Sequence, residues 1–332
     1  SISKKMISEC KKQYDDNKNI PPNLYSKYIQ VVSQSEQTWQ KAKSDNDFKT
    51  MVPYLKEIIE LTKEMYSYSK PNVDTYNALL DDYEKGITEN QLDTIFKELK
   101  EGTIPLIEAI SKKDKVNQHI FNGHYPIHLQ ERLSNYFLDV INFDFKSGCL
   151  SQSEHPFTTG INSPYDVRIT TNYDINDIRS SLFSVLHEGG HAIYEQNINP
   201  KLVGTRLNTG ASMGIHESQS RFYENIIGRN LSFWKKHYNK VCEILPSYSN
   251  ISLNKFYKGI NSVEPSLIRI DADELTYNLH VIIRFELEKA LFSGNLEVKD
   301  LSTAWNDKMK EYLGIIPLDD ATGVLQEDRK ST

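Results

Sequence analysis

Residues 184–194 run Ser-Val-Leu-His-Glu-Gly-Gly-His-Ala-Ile-Tyr, and no other stretch restricts the fold as tightly. On an α-helix, positions i and i+4 lie about 40° apart because 3.6 residues complete a turn. His187 and His191 therefore project side by side, near enough for both imidazoles to reach one zinc-sized ion. Glu188 leaves the same helix beside the first of them, placed to take a proton from water held by such an ion. Gly189 and Gly190 occupy the interior of that helix, where each costs roughly 1 kcal/mol relative to alanine. A plain kink would explain them; so would close approach of a metal, a substrate or another backbone. Two histidines need a third ligand.

The surrounding periodicity is helical. Segments near 3–16, 23–44, 47–68, 72–85, 88–111 and 127–146 carry Leu, Ile and Tyr at helical spacing among Lys and Glu, with the charges on solvated faces. Pro21-Pro22, Pro53, Pro71 and Gly86 punctuate them, and Thr88-Glu89-Asn90-Gln91 fits a capping box. Further helices are predicted near 231–245, 252–262, 272–293 and 298–313. Between Phe145 and Asn172 the texture changes. Lys146-Ser147-Gly148 ends a helix, and 154–160 is loop chemistry. Tyr165 to Thr171 then alternates β-branched or aromatic with polar residues, as a short strand does. Such a strand is either an edge that binds an extended peptide or part of a small structural hairpin. Asn172 to Asp177 offers several N-caps for the helix of His187. The predicted class is all-α, with a short β element beside the active-site cleft. Residues 1–146 are expected to form one wall of that cleft and 147–332 the metal-binding region, in one continuous structural unit.

Composition narrows the partners. The 39 basic and 45 acidic residues of the 332 leave a net charge of −6 without a basic block, which disfavours nucleic acid and anionic membrane surfaces. No run approaches the ~18 apolar residues of a transmembrane helix. The N-terminal sequence has no signal-peptide apolar core. Three cysteines, Cys10, Cys149 and Cys242, are far apart and odd in number, so a reducing cytoplasm is the expected compartment.

Downstream, His216-Glu217-Ser218-Gln219 leads into a helical run with Phe222, Tyr223, Ile226 and Ile227. Glu217 lies far enough past His191 to return on a second helix and complete a His2Glu site with a position open to water. Spacing leaves Glu224 and Glu195 in competition with it.

Five segments now resemble one family in its order: His155-Pro156-Phe157, Asp166-x-Arg168-x-Thr170, His187-Glu188-x-x-His191, His216-Glu217-Ser218-Gln219 and Ile268-Arg269-x-x-Ala272-Asp273. The chain is similar to the M32 metallocarboxypeptidases, the thermostable carboxypeptidase group among gluzincin metallopeptidases. The resemblance implies His187, His191 and Glu217 as ligands of Zn2+, with Co2+ the alternative, and Glu188 as base. It also implies Arg168 and Arg269 at the substrate's terminal carboxylate, a group that a guanidinium fork binds bidentately; an ordinary salt bridge is the competing use of each. Asp166, Thr170, Asp273 and His155 join the substrate-binding set, the two aspartates as orienting residues. His216 and His280 fit loop capping or core packing.

The resemblance implies release of single residues from peptides with a free C-terminus, with broad specificity, and a homodimer. A related endopeptidase or dipeptidase is the second reading. Gly323-Val324-Leu325-Gln326 matches the start of the family's Gly-x-x-Gln-Asp-x-His-Trp motif, but Glu327-Asp328-Arg329-Lys330-Ser331-Thr332 follows. The chain thus resembles the central part of a longer enzyme, and a metal-binding but inactive helical scaffold is the third reading.

Overall fold

A computed structural model describes residues 1–161 and 163–326 of the chain. Helices account for 65% of it, so the mainly helical architecture with a short β element is as the sequence predicts. The first five helices are α1 (Ile2–Asn17), α2 (Pro22–Asp45), α3 (Val52–Ser69), α4 (Thr75–Tyr83) and α5 (Glu89–Ser111). Their starts are set locally. Proline occupies the first turn of α2 and of α3, where no intrahelical bond needs its absent N–H. Asp74 accepts from the Tyr76 and Asn77 amides ahead of α4. At the start of α5 the capping box forms: the Thr88 amide donates to Gln91 Oε1 at 2.9 Å and the Gln91 amide to Thr88 Oγ1 at 3.4 Å.

Next come α6 (Ile127–Val140), strands β1 (Gly148–Gln152), β2 (Thr158–Gly160) and β3 (Val167–Thr171), and α7 (Ile178–Gln196). The remaining helices are α8 (Met213–Arg221), α9 (Leu231–Ile244), α10 (Leu253–Ile260), α11 (Tyr277–Ser293) and α12 (Leu301–Leu313). A π-helical turn, Phe222–Ile227, continues α8. Two of the boundaries that differ from expectation have clear local causes. α6 stops at Val140 and not near 146, because Asn142 takes φ 64°, which asparagine tolerates, and the Phe143 amide closes back on the Leu138 carbonyl at 2.9 Å. α11 starts late because Asp273 Oδ1 accepts from the Leu275 and Thr276 amides and holds the preceding residues as a turn.

Strand order is β1-β3-β2, with β1 parallel and β2 antiparallel to β3. The strand read from the sequence is therefore central, and the expectation of a peptide-binding edge at β3 is corrected: Val167–Thr171 is paired with Gly148–Gln152 on one side and, over Val167 to Ile169, with Thr158–Gly160 on the other. Strands of five and three residues in Ser-, Thr- and Gly-rich sequence carry too little periodicity to be seen. Pairing also explains Gly148, where an added Cβ would lie 2.1 Å from the Val167 carbonyl oxygen.

The chain divides into two compact units, residues 1–10 with 115–262, and 11–114 with the segment from Val263 onward. The first closes on an aromatic core in which Phe137, Trp234, Tyr248 and Phe256 are fully buried. Trp234 meets Phe137 and Phe256 edge-on at ring distances of 5.6 and 4.8 Å. α7 is packed by α6, α8, β2 and β3, and buries Ile178, Leu182, Val185, Leu186 and Ala192. In the second unit, Leu279, Ile282 and Ile283 of α11 pack with Trp305 and Met309 of α12, and Leu24 and Val31 of α2 with Ile58, Leu61 and Met65 of α3.

Candidate metal centre

One ligand atom from each of His187, His191 and Glu217 lies within 4.8 Å of the other two. Glu217 Oε2 is 3.3 Å from His191 Nε2 and 3.7 Å from His187 Nε2, and the two rings stand nearly perpendicular with centroids 4.9 Å apart. The histidines come from α7 and the carboxylate from α8, whose start is set by Ser212 Oγ accepting from the Ile215 amide at 3.2 Å. Gly190 is what lets the helices come this close. A Cβ there would sit 2.7 Å from Ser220 Cα and 2.8 Å from the Gln219 carbonyl oxygen. Of the explanations open from sequence, another backbone is the one that applies. A Cβ at Gly189 would meet side chains instead, Ile141 Cδ1 at 2.5 Å and Leu138 Cδ2 at 3.0 Å.

Of the three competing carboxylates, Glu217 is the one in the ligand group among the described residues. Glu224 stands behind His187, with Oε2 2.8 Å from Nδ1, and Arg221 Nη1 donates to that same oxygen at 3.0 Å. With the Nδ1 hydrogen directed to a carboxylate, His187 keeps its Nε2 lone pair for the ligand group. Glu195 acts through another residue. His216, which the sequence suits to capping or packing, lies between it and His191: Nδ1 to His191 Nδ1 at 2.6 Å, Nε2 to Glu195 Oε1 at 2.7 Å.

The electrostatics favour positive charge at this position. Burial pushes the His187 imidazole pKa down, but the Glu224 hydrogen bond and the charges of Glu224, Glu217 and Glu188 outweigh it, and the net shift is upward. Burial pushes Glu217 up; the His191 hydrogen bond and the charges of His187 and Arg221 hold it down at about 2. Two imidazoles and a persistent carboxylate anion fit a divalent cation, with a coordination position left over.

Glu188 is buried, and the Thr158 hydroxyl of β2 lies 2.6 Å from its Oε2 and 2.9 Å from its carbonyl oxygen. Arg168, exposed on β3, grips Asp166 through Nε and Nη2 at 2.8 and 2.9 Å. That pair engages the Nε–Nη2 edge of the guanidinium. Thr170 is buried; its Oγ1 accepts from the Phe157 amide at 3.0 Å and lies 2.6 Å from Ser153 Oγ. It thereby ties the loop bearing the exposed His155 to β3.

The remaining predicted residues belong to the other unit. Arg269 opens a short 3-10 turn, Arg269–Asp271, and its Nη1 donates to the Tyr277 hydroxyl at 2.9 Å. The Asp273 carboxylate serves its own turn, taking the Glu264 amide at 3.1 Å and the Thr276 hydroxyl at 2.8 Å besides the two amides ahead of α11. Gln326 Oε1 accepts from the Arg269 amide at 3.3 Å and from Arg284 Nη2 at 3.0 Å. Glu327 to Thr332, where the last motif departs from the family pattern, lie outside the described residues.

A family model described as carboxypeptidase Taq (M32) metallopeptidase matches residues 1–328. The chain belongs to the M32 family. Among M32 relatives, Carboxypeptidase 1 of Bacillus subtilis is 47% identical over 327 residues, which are 98% of this chain and 65% of that protein. Thermostable carboxypeptidase 1 of Thermus thermophilus is 39% identical over 331 residues, 97% of this chain and 65% of that protein. The crystal structure of an M32 carboxypeptidase from Deinococcus radiodurans R1 matches with a TM-score of 0.95 at 34% identity, covering 98% of this chain and 66% of that one. The chain thus spans 65% of the length of the curated relatives it matches. An M32 metallopeptidase takes a divalent metal, and His187, His191 and Glu217 are a group able to hold one. Among the described residues no helix is long and apolar enough to cross a membrane.

Sequence reasoning passed over Thr158, assigned Gln326 only to an incomplete motif, and weighed Glu195 and Glu224 as ligands and not as partners of other histidines. One signal was available: Glu195 follows His191 by four residues on α7, the spacing that places two side chains on one helix face.

Proposed function

We propose that this M32 chain carries a metal-dependent carboxypeptidase activity that releases single residues from peptides with a free C-terminus, with broad specificity. The reading rests above all on the convergence of His187, His191 and Glu217 ligand atoms within 4.8 Å on helices of that family. Zn2+ is the proposed ion, with Co2+ as the alternative, because two histidines, a glutamate and an open position form a catalytic zinc set. When bound, the metal supplies Lewis acidity: it polarises a carbonyl and lowers the pKa of water.

The chain's own residues do the rest. Glu188 takes the proton of the attacking water and returns it to the leaving amine, with its carboxylate oriented by the Thr158 hydroxyl at 2.6 Å. Arg168, held on one edge by Asp166, offers its other edge to the terminal carboxylate. Thr170 supports this strand and the loop of His155. Arg269 and Asp273 enter the proposal through the family resemblance alone, as does a homodimer, which sedimentation would test. A cytoplasmic location belongs to the same proposal and is supported by Cys10, Cys149 and Cys242 being unpaired.

The deciding experiment compares a peptide with its C-terminally amidated form in the presence of Zn2+. Release from the free peptide should greatly exceed release from the amide. Equal cleavage of both would sink carboxylate recognition.

A further inference from the structure

A permanent cation stands beside the group proposed to hold a metal cation. Arg221, the last residue of α8, directs Nε to Glu217 Oε1 at 3.1 Å and Nη1 to Glu224 Oε2 at 3.0 Å. Coulomb repulsion alone would keep a guanidinium away from a divalent ion, so its place here needs another reason. We propose that Arg221 is a positioning residue whose fork clamps Glu217 and Glu224 together, so that the ligand carboxylate and the carboxylate behind His187 are set before a metal arrives. The proposal rests on the reading of His187, His191 and Glu217 as metal ligands.

The contacts close a circuit around one imidazole. Glu224 Oε2 meets His187 Nδ1 at 2.8 Å, and Glu217 Oε2 lies 3.7 Å from Nε2 on the other side of the ring. Arg221 bridges the two carboxylates. The direction of both bonds is fixed, because every guanidinium nitrogen carries hydrogen and the group neither accepts nor loses its charge. The two oxygens of Glu217 are thereby divided. Oε1 takes Arg221, while Oε2 faces His191 Nε2 at 3.3 Å, the Ser220 hydroxyl at 3.1 Å and His187 Nε2. A carboxylate pinned through one oxygen presents the other in a restricted orientation, as a ligand carboxylate with its own hydrogen-bond partner does.

The helix is spaced for this clamp. Glu217, Arg221 and Glu224 follow as i, i+4 and i+7, the spacing of one helix face. The π-helical turn Phe222–Ile227 opens directly after Arg221; such turns are rare and frequently mark functional sites. Glu224 lies within it. Its other oxygen, Oε1, faces Arg229 Nη2 at 3.9 Å. Arg229 is itself fixed by Asn225 Oδ1 at 3.2 Å and by its guanidinium lying 4.1 Å from the centre of the Phe183 ring of α7. Glu224 is thus held on both sides and gives Arg221 a fixed point from which to reach back to Glu217. The plain alternative is an ion pair that only stabilises α8. With 27% of the Arg221 side chain and 44% of the Glu217 side chain exposed, such a pair contributes little to stability, which leaves placement of the carboxylate as the larger effect.

The test uses the full chain, with Zn2+ affinity measured by chelator competition at a temperature where each variant is folded and thermal unfolding of the metal-free chain followed alongside. His191→Ala serves as the reference for loss of the site. Charge and placement predict opposite signs. If Arg221 acts by charge alone, removing it strengthens Zn2+ binding; if it acts by placement, Arg221→Met weakens binding about 10–100-fold, the usual effect of losing a ligand's orienting partner. The second result is expected. Arg221→Lys keeps the charge but not the fork, and should give an affinity between those of wild type and Arg221→Met. The visible spectrum of the Co2+-loaded protein, which follows coordination geometry, should change in both variants. If wild type binds Zn2+, His191→Ala abolishes binding and Arg221→Met binds as tightly as wild type or tighter, the clamp is refuted while the metal site stands. Wild-type affinity in Arg221→Lys refutes it too, because charge would then suffice, and so does an unchanged Co2+ spectrum in Arg221→Met. If wild type does not bind Zn2+, or His191→Ala leaves binding unchanged, the metal-site reading fails first and the clamp with it. Should Arg221→Met fail to fold, Arg221→Lys alone decides.

Discussion

Gly190→Ala isolates the contact on which the candidate centre depends. The added Cβ would lie 2.7 Å from Ser220 Cα and 2.8 Å from the Gln219 carbonyl oxygen, both backbone atoms of α8, and 3.1 Å from Tyr223 Cδ2. Backbone cannot rotate away, so α8 must retreat by the difference between 2.7 Å and ordinary van der Waals contact at about 3.4 Å, or ~0.7 Å. The effects on stability oppose one another: overpacking costs about 1–3 kcal/mol, while replacing a helix-interior glycine by alanine contributes about 1 kcal/mol. The net change is therefore small, about 0–2 kcal/mol. Metal affinity has no such compensation. Glu217 rides on α8, and ligand distances are held to within about 0.2 Å, so a ~0.7 Å retreat should weaken Zn2+ binding by about tenfold or more. Gly189→Ala is the control: its Cβ meets the ends of the Ile141 and Leu138 side chains, which can repack, so Zn2+ affinity should stay near wild type. Chelator competition reads affinity and thermal unfolding of the metal-free chain reads stability. The reasoning is refuted if Gly190→Ala binds Zn2+ as wild type does, or if Gly189→Ala loses as much.

Glu188→Gln should retain Zn2+ and lower turnover by about 10²–10⁴-fold; a variant that trims peptides normally would dismiss Glu188 as the base. Thr158→Val removes the hydroxyl beside Glu188 Oε2 and its carbonyl oxygen, and should cost about 1–3 kcal/mol in thermal unfolding without changing Zn2+ affinity. In the second unit, burial pushes Glu286 up, but hydrogen bonds from Lys100, Lys308 and Tyr312 outweigh it and its pKa lies below the ordinary carboxylate value. A depressed folded-state pKa means that this stabilisation is present above the unfolded-state value and is lost as pH falls through the folded-state one. Glu286→Gln should accordingly destabilise the chain at neutral pH and flatten the acid limb of a plot of unfolding midpoint against pH; an unchanged acid limb would show that the cluster is not what titrates.

The local part of this protein was legible in its residues. Capping residues such as Thr88 and Gln91, the proline-led starts of α2 and α3, and the i, i+4 pair His187 and His191 act through atoms within one helical turn, so their geometry follows from spacing alone. The helices were legible on that basis, and the side-by-side placement of His187 and His191 with them. The Ser/Thr/Gly-rich stretches of three to five residues were not, because a strand so short is stabilised by its neighbours across the sheet and leaves no period in the sequence. The choice among Glu195, Glu217 and Glu224 likewise depended on which face of α8 docks on α7 and how closely. That docking is set by Gly190 against the backbone of Ser220, a contact between residues far apart in sequence. Sequence alone determined which side chains a helix presents together; tertiary packing decided which carboxylate meets His187 and His191 and which two stand behind them, because hydrogen bonds of 2.6–2.8 Å form only after two helices have come to a fixed distance.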